Sequence, residues 1–189
     1  MTQILDATVI SNFAAVERFD LLRLALGTVH LAVAVYGEVQ RGIEDGYEFL
    51  RAVDAELAPH HVDGWIRLTD LEDEEEHEAY ARLRTRVQSG EAASLAIAAH
   101  RMWTVATDDR AARRIAAEVG VSITGTLGIL LQLIERDDLS LEEANQLLGL
   151  MIDRAGYRSP VADLGVLLEK ERRTFEGVRK VDRGLLVDP

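Results

Sequence analysis

The 189-residue sequence has no cysteine, three prolines and few aromatic residues, which make up 5% of the chain. The absence of cysteine excludes disulfide bonds, zinc–thiolate sites, iron–sulfur clusters and a cysteine nucleophile. No apolar run approaches the ~20 residues that a membrane-spanning helix requires. The N-terminal segment also lacks the basic start and the apolar stretch of a signal peptide. These absences predict a soluble, cytoplasmic protein with no membrane partner.

The chain is rich in both apolar and acidic residues. Hydrophobic residues make up 48% and charged residues 29%, which is the balance of a globular protein, and the length fits one domain. There are 33 acidic and 21 basic residues, so the formal net charge is −12. Because this charge repels a phosphate backbone, a nucleic-acid partner requires metal ions or local arginine clusters.

Strand-like and helical patterns alternate in the first two thirds of the chain, which predicts a mostly parallel sheet covered by helices on both faces. After Gly125 the pattern is wholly helical until about residue 170, and a polar tail follows over 171–189. The predicted strands are Gln3–Leu5, Thr28–Val35, Trp65–Leu68, Met102–Ala106 and Val121–Thr124. The predicted helices are Asn12–Leu26, Tyr36–Leu57, Asp73–Val87, Glu91–Arg101, Arg110–Val119, Thr126–Glu135, Ser140–Ala155 and Val161–Arg172.

The acidic run EDEEEHE at Glu72–Glu78 is typical of a solvated first helical turn, where carboxylates suit the helix dipole. A contact surface for a basic partner is the alternative. The apolar helix Thr126–Glu135 is predicted to be buried, either in the core or in a contact between copies of the chain.

Five carboxylates stand near the ends of predicted strands, where ligands bind in open parallel sheets. Asp6 follows the first strand, Glu38 lies one helical turn after the second, and Asp108 and Asp109 follow the strand ending at Ala106. Glu91 begins the helix that leads into that same strand. We therefore expect four separate segments to bring acids to one edge of the sheet.

Most of these acids have a simpler explanation. Asp108 or Asp109 could cap the next helix, Glu91 could serve the first turn of its helix, and Glu38 could be a surface charge. Asp6 differs, because it interrupts the apolar run ILDATVI, where an unpaired buried charge costs several kcal/mol. A bound metal ion would compensate that charge. Carboxylate ligands favour Mg²⁺ or Mn²⁺, and the natural reaction of such a site is metal-assisted phosphodiester hydrolysis.

The segments ILDATVISNFA, VYGEVQRGI, SGEAASLAIA and VATDDRAARRIA, in that order, resemble the four acidic motifs of PIN-domain nucleases, a family that includes the VapC-type toxins. The later run GVSITGTLGILLQLIERDDLSLEEANQLLGLMIDRAGYRSP resembles the C-terminal part of a PIN subfamily of predicted nucleic-acid-binding proteins. The resemblance spans roughly residues 2–168. It implies a three-layer α/β/α fold over residues 1–170, with an added helical region at about 126–170.

The resemblance also implies a metal-dependent endoribonuclease, the toxin of a toxin–antitoxin pair, with Asp6, Glu38, Glu91 and Asp109 as catalytic acids. Many relatives have Asp at the position of Glu91. The expected Mg²⁺ or Mn²⁺ ligands are Asp6, Glu91, Asp109 and, as an alternative or additional contributor, Asp108.

Four further residues are expected to contact the RNA substrate. The resemblance places a hydroxyl at Thr8 and a polar side chain at Asn12. Arg110 and Arg113 lie one helical turn apart and could bind phosphates, although a solvated basic face is the alternative. The other expected partners are an antitoxin and a second copy of the chain, in a dimer.

Two departures from the family pattern leave a second hypothesis open. Many VapC-type toxins have an aromatic residue soon after the fourth acid, where this chain has RAARRIA, and the chain is longer than a minimal toxin. The alternative function is a non-catalytic PIN-like module that binds a protein through its helical C-terminal region. The net charge of −12 favours this alternative, and the complete set of acids opposes it.

Overall fold

The structure, a computed structural model, describes residues 1–170. A sheet of six strands forms its centre, and every pair of neighbouring strands is parallel. The strand order is β3-β4-β2-β1-β5-β6. The strands are β1 Gln3–Leu5, β2 Val29–Ala32, β3 Leu57–Ala58, β4 Ile66–Thr69, β5 Thr104–Ala106 and β6 Ile123–Thr124.

Helices cover the sheet in the expected three-layer α/β/α arrangement, which is confirmed. The helix α6 packs against β1, β2 and β5 and also contacts α5 and α7, while α1 contacts α2 and α9. The helices are α1 Ala7–Ala15, α2 Phe19–Leu26, α3 Val33–Glu44, α4 Ala52–Ala55, α5 Glu74–Leu83, α6 Ser89–Arg101, α7 Arg110–Val119, α8 Thr126–Glu135 and α9 Leu141–Ala155. A 3₁₀ turn at Glu48–Arg51 precedes α4.

Two long helices of the sequence-based prediction are interrupted in the structure. The chain adopts a positive φ of 55° at Glu17 and of 99° at Gly46. A residue in this conformation cannot continue a right-handed helix, so α1 and α2 are separate and α3 ends at Glu44. The second strand is shorter than predicted, because Val33 already begins α3, and the two-residue strand β3 was not predicted.

The C-terminal helical region belongs to the same core as the sheet. The helix α8 buries the apolar side chains of Ile129, Leu130, Leu131 and Leu133, and it packs against α2 and α9. The side-chain amide of Gln132 donates to the carbonyl of Ala25 at 2.9 Å, which joins α8 to the end of α2. Burial within the chain therefore accounts for the apolar sequence of α8.

Helix α9 begins as predicted, with a reciprocal capping box between Ser140 and Glu143. The last predicted helix, Val161–Arg172, begins later, and residues 165–170 are helical. Its end and the predicted polar tail 171–189 lie outside the described residues. Within residues 1–170, no helix has the length and apolar character needed to cross a membrane.

The acidic run at Glu72–Glu78 is less solvated than expected. Asp73 caps α5, and its carboxylate accepts from the backbone N–H of Glu76 at 2.8 Å. The side chain of Glu76 is 1% exposed and forms an ion pair with Arg101 of α6 at 2.6 Å. The expectation of a purely solvated turn is therefore wrong for Glu76, because the arginine of a neighbouring helix neutralises it.

Candidate functional site

The order of the strands creates a crevice at the carboxyl edge of the sheet. Strand β1 lies between β2 and β5. The chain that leaves β1 crosses to β2 on one side, and the chain that leaves β5 crosses to β6 on the other side. Ligands bind at such a switch point in open α/β sheets. The residues that follow β1, β2 and β5 therefore decide which chemistry this edge can support.

Asp6 is buried at the centre of this edge. Its side chain is 2% exposed, and one carboxylate oxygen, Oδ2, accepts from the hydroxyls of Thr8 at 2.9 Å and Thr107 at 2.8 Å. Burial raises the pKa of Asp6, the hydroxyl donors partly offset that rise, and the nearby charge of Glu38 adds to it. Asp6 thus lies among neutral hydrogen-bond donors that orient its carboxylate but do not neutralise it.

Thr107 connects Asp6 to Asp109. Its hydroxyl donates to Asp6 and accepts from the backbone N–H of Asp109 at 3.1 Å. Asp109 begins α7, and its Oδ1 accepts from the backbone N–H of Ala112 at 2.8 Å. The capping role expected for one aspartate of this pair therefore belongs to Asp109, whose Oδ2 takes no part in the cap.

Glu38 of α3 lies against the beginning of α6. Its Oε1 accepts from the backbone N–H of Gly90 at 2.9 Å and from the hydroxyl of Ser89 at 3.2 Å. A Cβ atom at position 90 would approach the Glu38 carboxylate to 2.6 Å, so only glycine allows this contact. The close approach brings Glu38 next to the segment that carries Glu91.

Glu91 serves as the third residue of a capping box, because its Oε2 accepts from the backbone N–H of Gln88 at 3.0 Å. The pKa of Glu91 is raised from its ordinary value of 4.5 to about 7. Burial is the largest cause, and the charges of Asp6, Asp109 and Glu38 add to it. The four acids from four segments therefore lie near enough to repel one another.

These four acids form no ion pair within residues 1–170. They are also more widely spaced than the ligands of a single bound ion. In the described part of the chain, the group of three possible ligands whose atoms all lie within 4.8 Å of one another is Asp73, Glu75 and His100. That group is exposed and belongs to α5 and α6 rather than to the crevice, so any metal titration must distinguish the two places.

Asp108 is hydrogen-bonded to a different part of the chain. Its two oxygens accept from the backbone N–H of Thr126 at 3.0 Å, the hydroxyl of Thr126 at 2.6 Å and the amide of Asn12 at 3.1 Å. The hydroxyl of Tyr157 lies 3.4 Å from its Oδ1. Asp108 therefore joins the end of β5 to α1, α8 and the segment after α9.

The other predicted substrate contacts fall into two groups. Thr8, Asn12 and Arg110 line a cavity beside the acids, and Arg110 is exposed. Asn12 is 4% exposed, but its amide nitrogen already donates to Asp108 and to Thr126. Arg113 is half-buried, and its Nη1 donates to the carbonyl of Thr107 at 2.8 Å and to that of Thr124 at 3.0 Å.

Two cavities flank the acids, and Asp109 lines both. The larger, of about 560 Å³, lies between α1, the beginning of α7 and the segment that follows α9. The smaller, of about 380 Å³, lies between α7 and the segment before α6, and Glu91 is also in its wall. Together they give solvent access to Asp109 from two sides and to Glu91 from one, whereas Asp6 and Glu38 line neither cavity.

The prediction from sequence assigned no role to three residues that organise this site. Thr107 directly follows β5, and that position is a signal for a contact at the carboxyl edge. Thr126 and Tyr157 contact Asp108 from residues 18 and 49 positions away. No spacing rule connects such distant positions, so only the folded chain shows them.

A family model, DUF3368: PIN domain, matches residues 2–170. Among curated proteins, none matches the sequence. A solved structure described as VapBC2 from Rickettsia felis bound to a DNA fragment from their promoter is similar over 66% of this chain and 98% of that chain. Its sequence identity to this chain is 18% and its TM-score is 0.47.

Proposed function

Because the chain belongs to the PIN-domain family, we propose that it is a divalent-metal-dependent endoribonuclease, the toxin of a toxin–antitoxin pair. One observation carries the proposal: four carboxylates from separate segments lie at the carboxyl edge of the sheet and form no ion pair within residues 1–170. Asp6 is buried there with a raised pKa, and the pKa of Glu91 is about 7. A fold gains no stability from such repulsion, so a cation or a reaction must account for it.

The chemistry of these residues fits a hard divalent cation. Asp6, Glu91 and Asp109 offer oxygen atoms, which Mg²⁺ and Mn²⁺ prefer over nitrogen and sulfur. None of these three acids forms an ion pair within residues 1–170, so a cation held by them could also bind water and a substrate phosphate. Burial is the main cause of the raised pKa values of Asp6 and Glu91, and the charges of the neighbouring acids add to it.

We assign each acid a role within this site. Asp6, Glu91 and Asp109 would hold the cation, which would supply charge stabilisation for phosphodiester hydrolysis. Thr8 and Thr107 orient Asp6 through their hydroxyls. Glu38 completes the acidic crevice and helps to position or activate the water.

Asp108 is proposed to position its neighbours. Its carboxylate accepts hydrogen bonds from Thr126 and Asn12, and these donors occupy lone pairs that a metal ion would need. The hypothesis that Asp108 is a metal ligand stays a prediction, and metal affinity in Asp108→Asn tests it.

The RNA substrate would approach through the two cavities. Arg110 is exposed at the mouth of the larger cavity and can bind a phosphate near the cation. Arg113 has committed one nitrogen to the carbonyls at the ends of β5 and β6, so a role for it in RNA binding depends on its other nitrogens. An antitoxin, a second copy of the chain and a cytoplasmic location accompany the proposed toxin role.

A cleavage assay tests this function. The full-length protein is incubated with total RNA and with a labelled single-stranded RNA, in Mg²⁺ or Mn²⁺ and in a chelator. We expect cleavage that requires the metal and that falls at least ~100-fold in Asp6→Asn. Glu75→Gln, which changes an exposed acid outside the crevice, is the matched control and should cleave normally.

Equal cleavage by the unmodified protein and by Asp6→Asn would contradict the proposal. The second candidate function is a non-catalytic protein-binding module, which the wide spacing of the acids favours. Absence of both cleavage and crevice-dependent metal binding in the unmodified protein would support that candidate.

A further inference from the structure

The larger cavity beside the acids has a wall that none of the four acidic motifs supplies. Thr8 and Ser11 of α1 and Arg110 of α7 form one part of the lining, and Asp109 connects the cavity to the acids. Tyr157 and Arg158, which follow α9, form the opposite part. The segment after α9 therefore reaches the edge of the proposed active site, about 150 residues after the first motif.

The fold holds this second wall in place through Tyr157. Helix α9 ends at Gly156, whose φ of 68° turns the chain out of the helix. The half-buried ring of Tyr157 then packs against the core, and its hydroxyl lies 3.4 Å from Oδ1 of Asp108. Burial and the neighbouring Asp108 raise the pKa of Tyr157, so its hydroxyl stays protonated and can donate to Asp108 at physiological pH. Arg158, the next residue, is thereby carried to the cavity.

Arg110 and Arg158 share two features: both line this cavity, and neither has an acidic partner within residues 1–170. Six other arginines each pair with at least one acid there. Those six arginines are Arg18, Arg51, Arg82, Arg86, Arg101 and Arg114. In a chain with a net charge of −12, two guanidinium groups without an acidic partner therefore line one cavity next to the acids.

We propose that this cavity is a binding subsite for single-stranded RNA, in which Arg110 and Arg158 bind the phosphates that flank the bond at the acids. The volume of about 560 Å³ lies within the ~300–1,000 Å³ of small-molecule sites and is large enough for one nucleotide. One guanidinium group can bind two phosphate oxygens at the same time. The polar side chains of Thr8 and Ser11 can contact the ribose. This inference rests on the proposed ribonuclease function.

The subsite also explains how a strongly acidic chain can bind a polyanion. The two arginines would supply positive charge in the cavity that Glu91 does not line, so RNA would run from this basic cavity to the acids and the cation. Binding energy from this cavity would hold the strand in register, while the acids act on the bond. Arg158 would therefore be a binding residue that the acidic motifs do not include.

RNA binding without cleavage tests the subsite. The binding of a fluorescein-labelled, single-stranded 12-nucleotide RNA of mixed sequence is measured by anisotropy at several salt concentrations in Mg²⁺, with Asp6→Asn as the background to prevent cleavage. Arg110→Gln, Arg158→Gln and the double variant are compared with Arg154→Gln. Arg154 is the matched control, because it is exposed in the last turn of α9 and does not line the cavity.

We expect each cavity substitution to weaken binding about 5- to 10-fold, and the salt dependence to become shallower by about 0.7 for each phosphate that the variant no longer binds. Arg154→Gln should leave both quantities unchanged. Equal affinity and slope in Arg158→Gln and Arg154→Gln would overturn the subsite, as would the absence of measurable RNA binding.

This experiment separates failure of the subsite from failure of the nuclease function. If the unmodified protein cleaves RNA but Arg158→Gln binds normally, the subsite is wrong and the nuclease stands. If the protein does not cleave RNA but the two arginine variants lose affinity and slope, the cavity binds RNA and the proposed nuclease function is wrong.

Discussion

Within residues 1–170, two carboxylates are almost fully buried, Asp6 at 2% and Glu76 at 1% exposure, yet their surroundings shift their pKa values in opposite directions. The carboxylate of Glu76 accepts hydrogen bonds from Nε of Arg101 at 2.6 Å and from Nη2 of Arg101 at 2.8 Å, and these bonds lower the pKa of Glu76. The carboxylate of Asp6 accepts hydrogen bonds only from hydroxyl and backbone donors, and burial raises the pKa of Asp6.

The difference shows that burial of an acid does not by itself indicate a functional site. Glu76 and Arg101 form a bidentate pair that joins α5 to α6, so the fold satisfies that charge internally. Asp6 lies beside Glu38, Glu91 and Asp109, so the fold concentrates negative charge and leaves it uncompensated. The missing counter-charge, rather than the burial, distinguishes the crevice.

The largest expected effect concerns the free energy of unfolding and the buried pair of Glu76 and Arg101. Arg101→Met leaves the buried Glu76 without its charged partner and should lower the free energy of unfolding by about 3 kcal/mol. Urea denaturation measures the change, and the decrease should be larger at pH 8 than at pH 5, because protonation neutralises an unpaired Glu76. Arg82→Met, which breaks an exposed pair with Glu78, is the control and should cost less than ~1 kcal/mol.

The same amide substitution should have opposite effects on the two buried acids. In metal-free buffer at pH 7.5, we expect Asp6→Asn to raise the free energy of unfolding by about 2 kcal/mol, because it removes an uncompensated charge. Glu76→Gln should lower it, because the charged hydrogen bonds from Arg101 are removed. Thermal unfolding of both variants measures these changes in stability. Destabilisation by Asp6→Asn would refute the claim that the charge of Asp6 is uncompensated.

Removal of the Thr107 hydroxyl should weaken the crevice as a cation site. Thr107→Val deletes the donor that orients Asp6 and leaves the N–H of Asp109 without its acceptor. Removal of such an orienting partner typically reduces metal affinity about tenfold or more, and we expect about a tenfold weaker Mn²⁺ affinity by calorimetry. Thr107→Ser keeps the hydroxyl and should bind normally; equal affinities of the two variants would show that Thr107 only fills space.

The smallest expected effect concerns the pH dependence of stability. The pKa of Glu91 is about 7 in the folded protein and near 4.5 when unfolded, so the folded state holds the proton more tightly. The stabilisation from this proton is lost as the pH rises from about 4.5 to about 7. Without metal, the free energy of unfolding should fall over this pH range by about 1 kcal/mol less in Glu91→Gln than in the unmodified protein, after allowance for solvent screening. Identical pH dependence of the two proteins would contradict the raised pKa.

The comparison also shows what a sequence can and cannot reveal. Asp6 could be singled out because it interrupts an apolar run that folds as β1 and α1. Glu76 could not, because it lies in a run of acids that looks solvated, and its partner Arg101 is 25 residues away on another helix. The sheet and its helices were predictable from hydrophobic periodicity, whereas the breaks at Glu17 and Gly46 depend on backbone conformation.

The sequence is least able to assign different roles to candidate residues that lie close together in the chain. Asp108 and Asp109 are adjacent, and both follow β5, so spacing gave no reason to prefer one of them as a ligand. The folded chain distinguishes them, because Thr126 lies beside Asp108 and the first turn of α7 lies beside Asp109. The same holds for Arg110 and Arg113, of which one is exposed at a cavity and the other donates to strand-end carbonyls.

Calorimetric titration of Mn²⁺ into the full-length protein, Asp6→Asn and His100→Ala tests the central claim most directly. The variants separate the crevice from the exposed group of Asp73, Glu75 and His100. We expect Asp6→Asn to abolish Mn²⁺ binding and His100→Ala to retain it. Binding that persists in Asp6→Asn and disappears in His100→Ala would contradict it, because the uncompensated acids of the crevice would then not be the metal site.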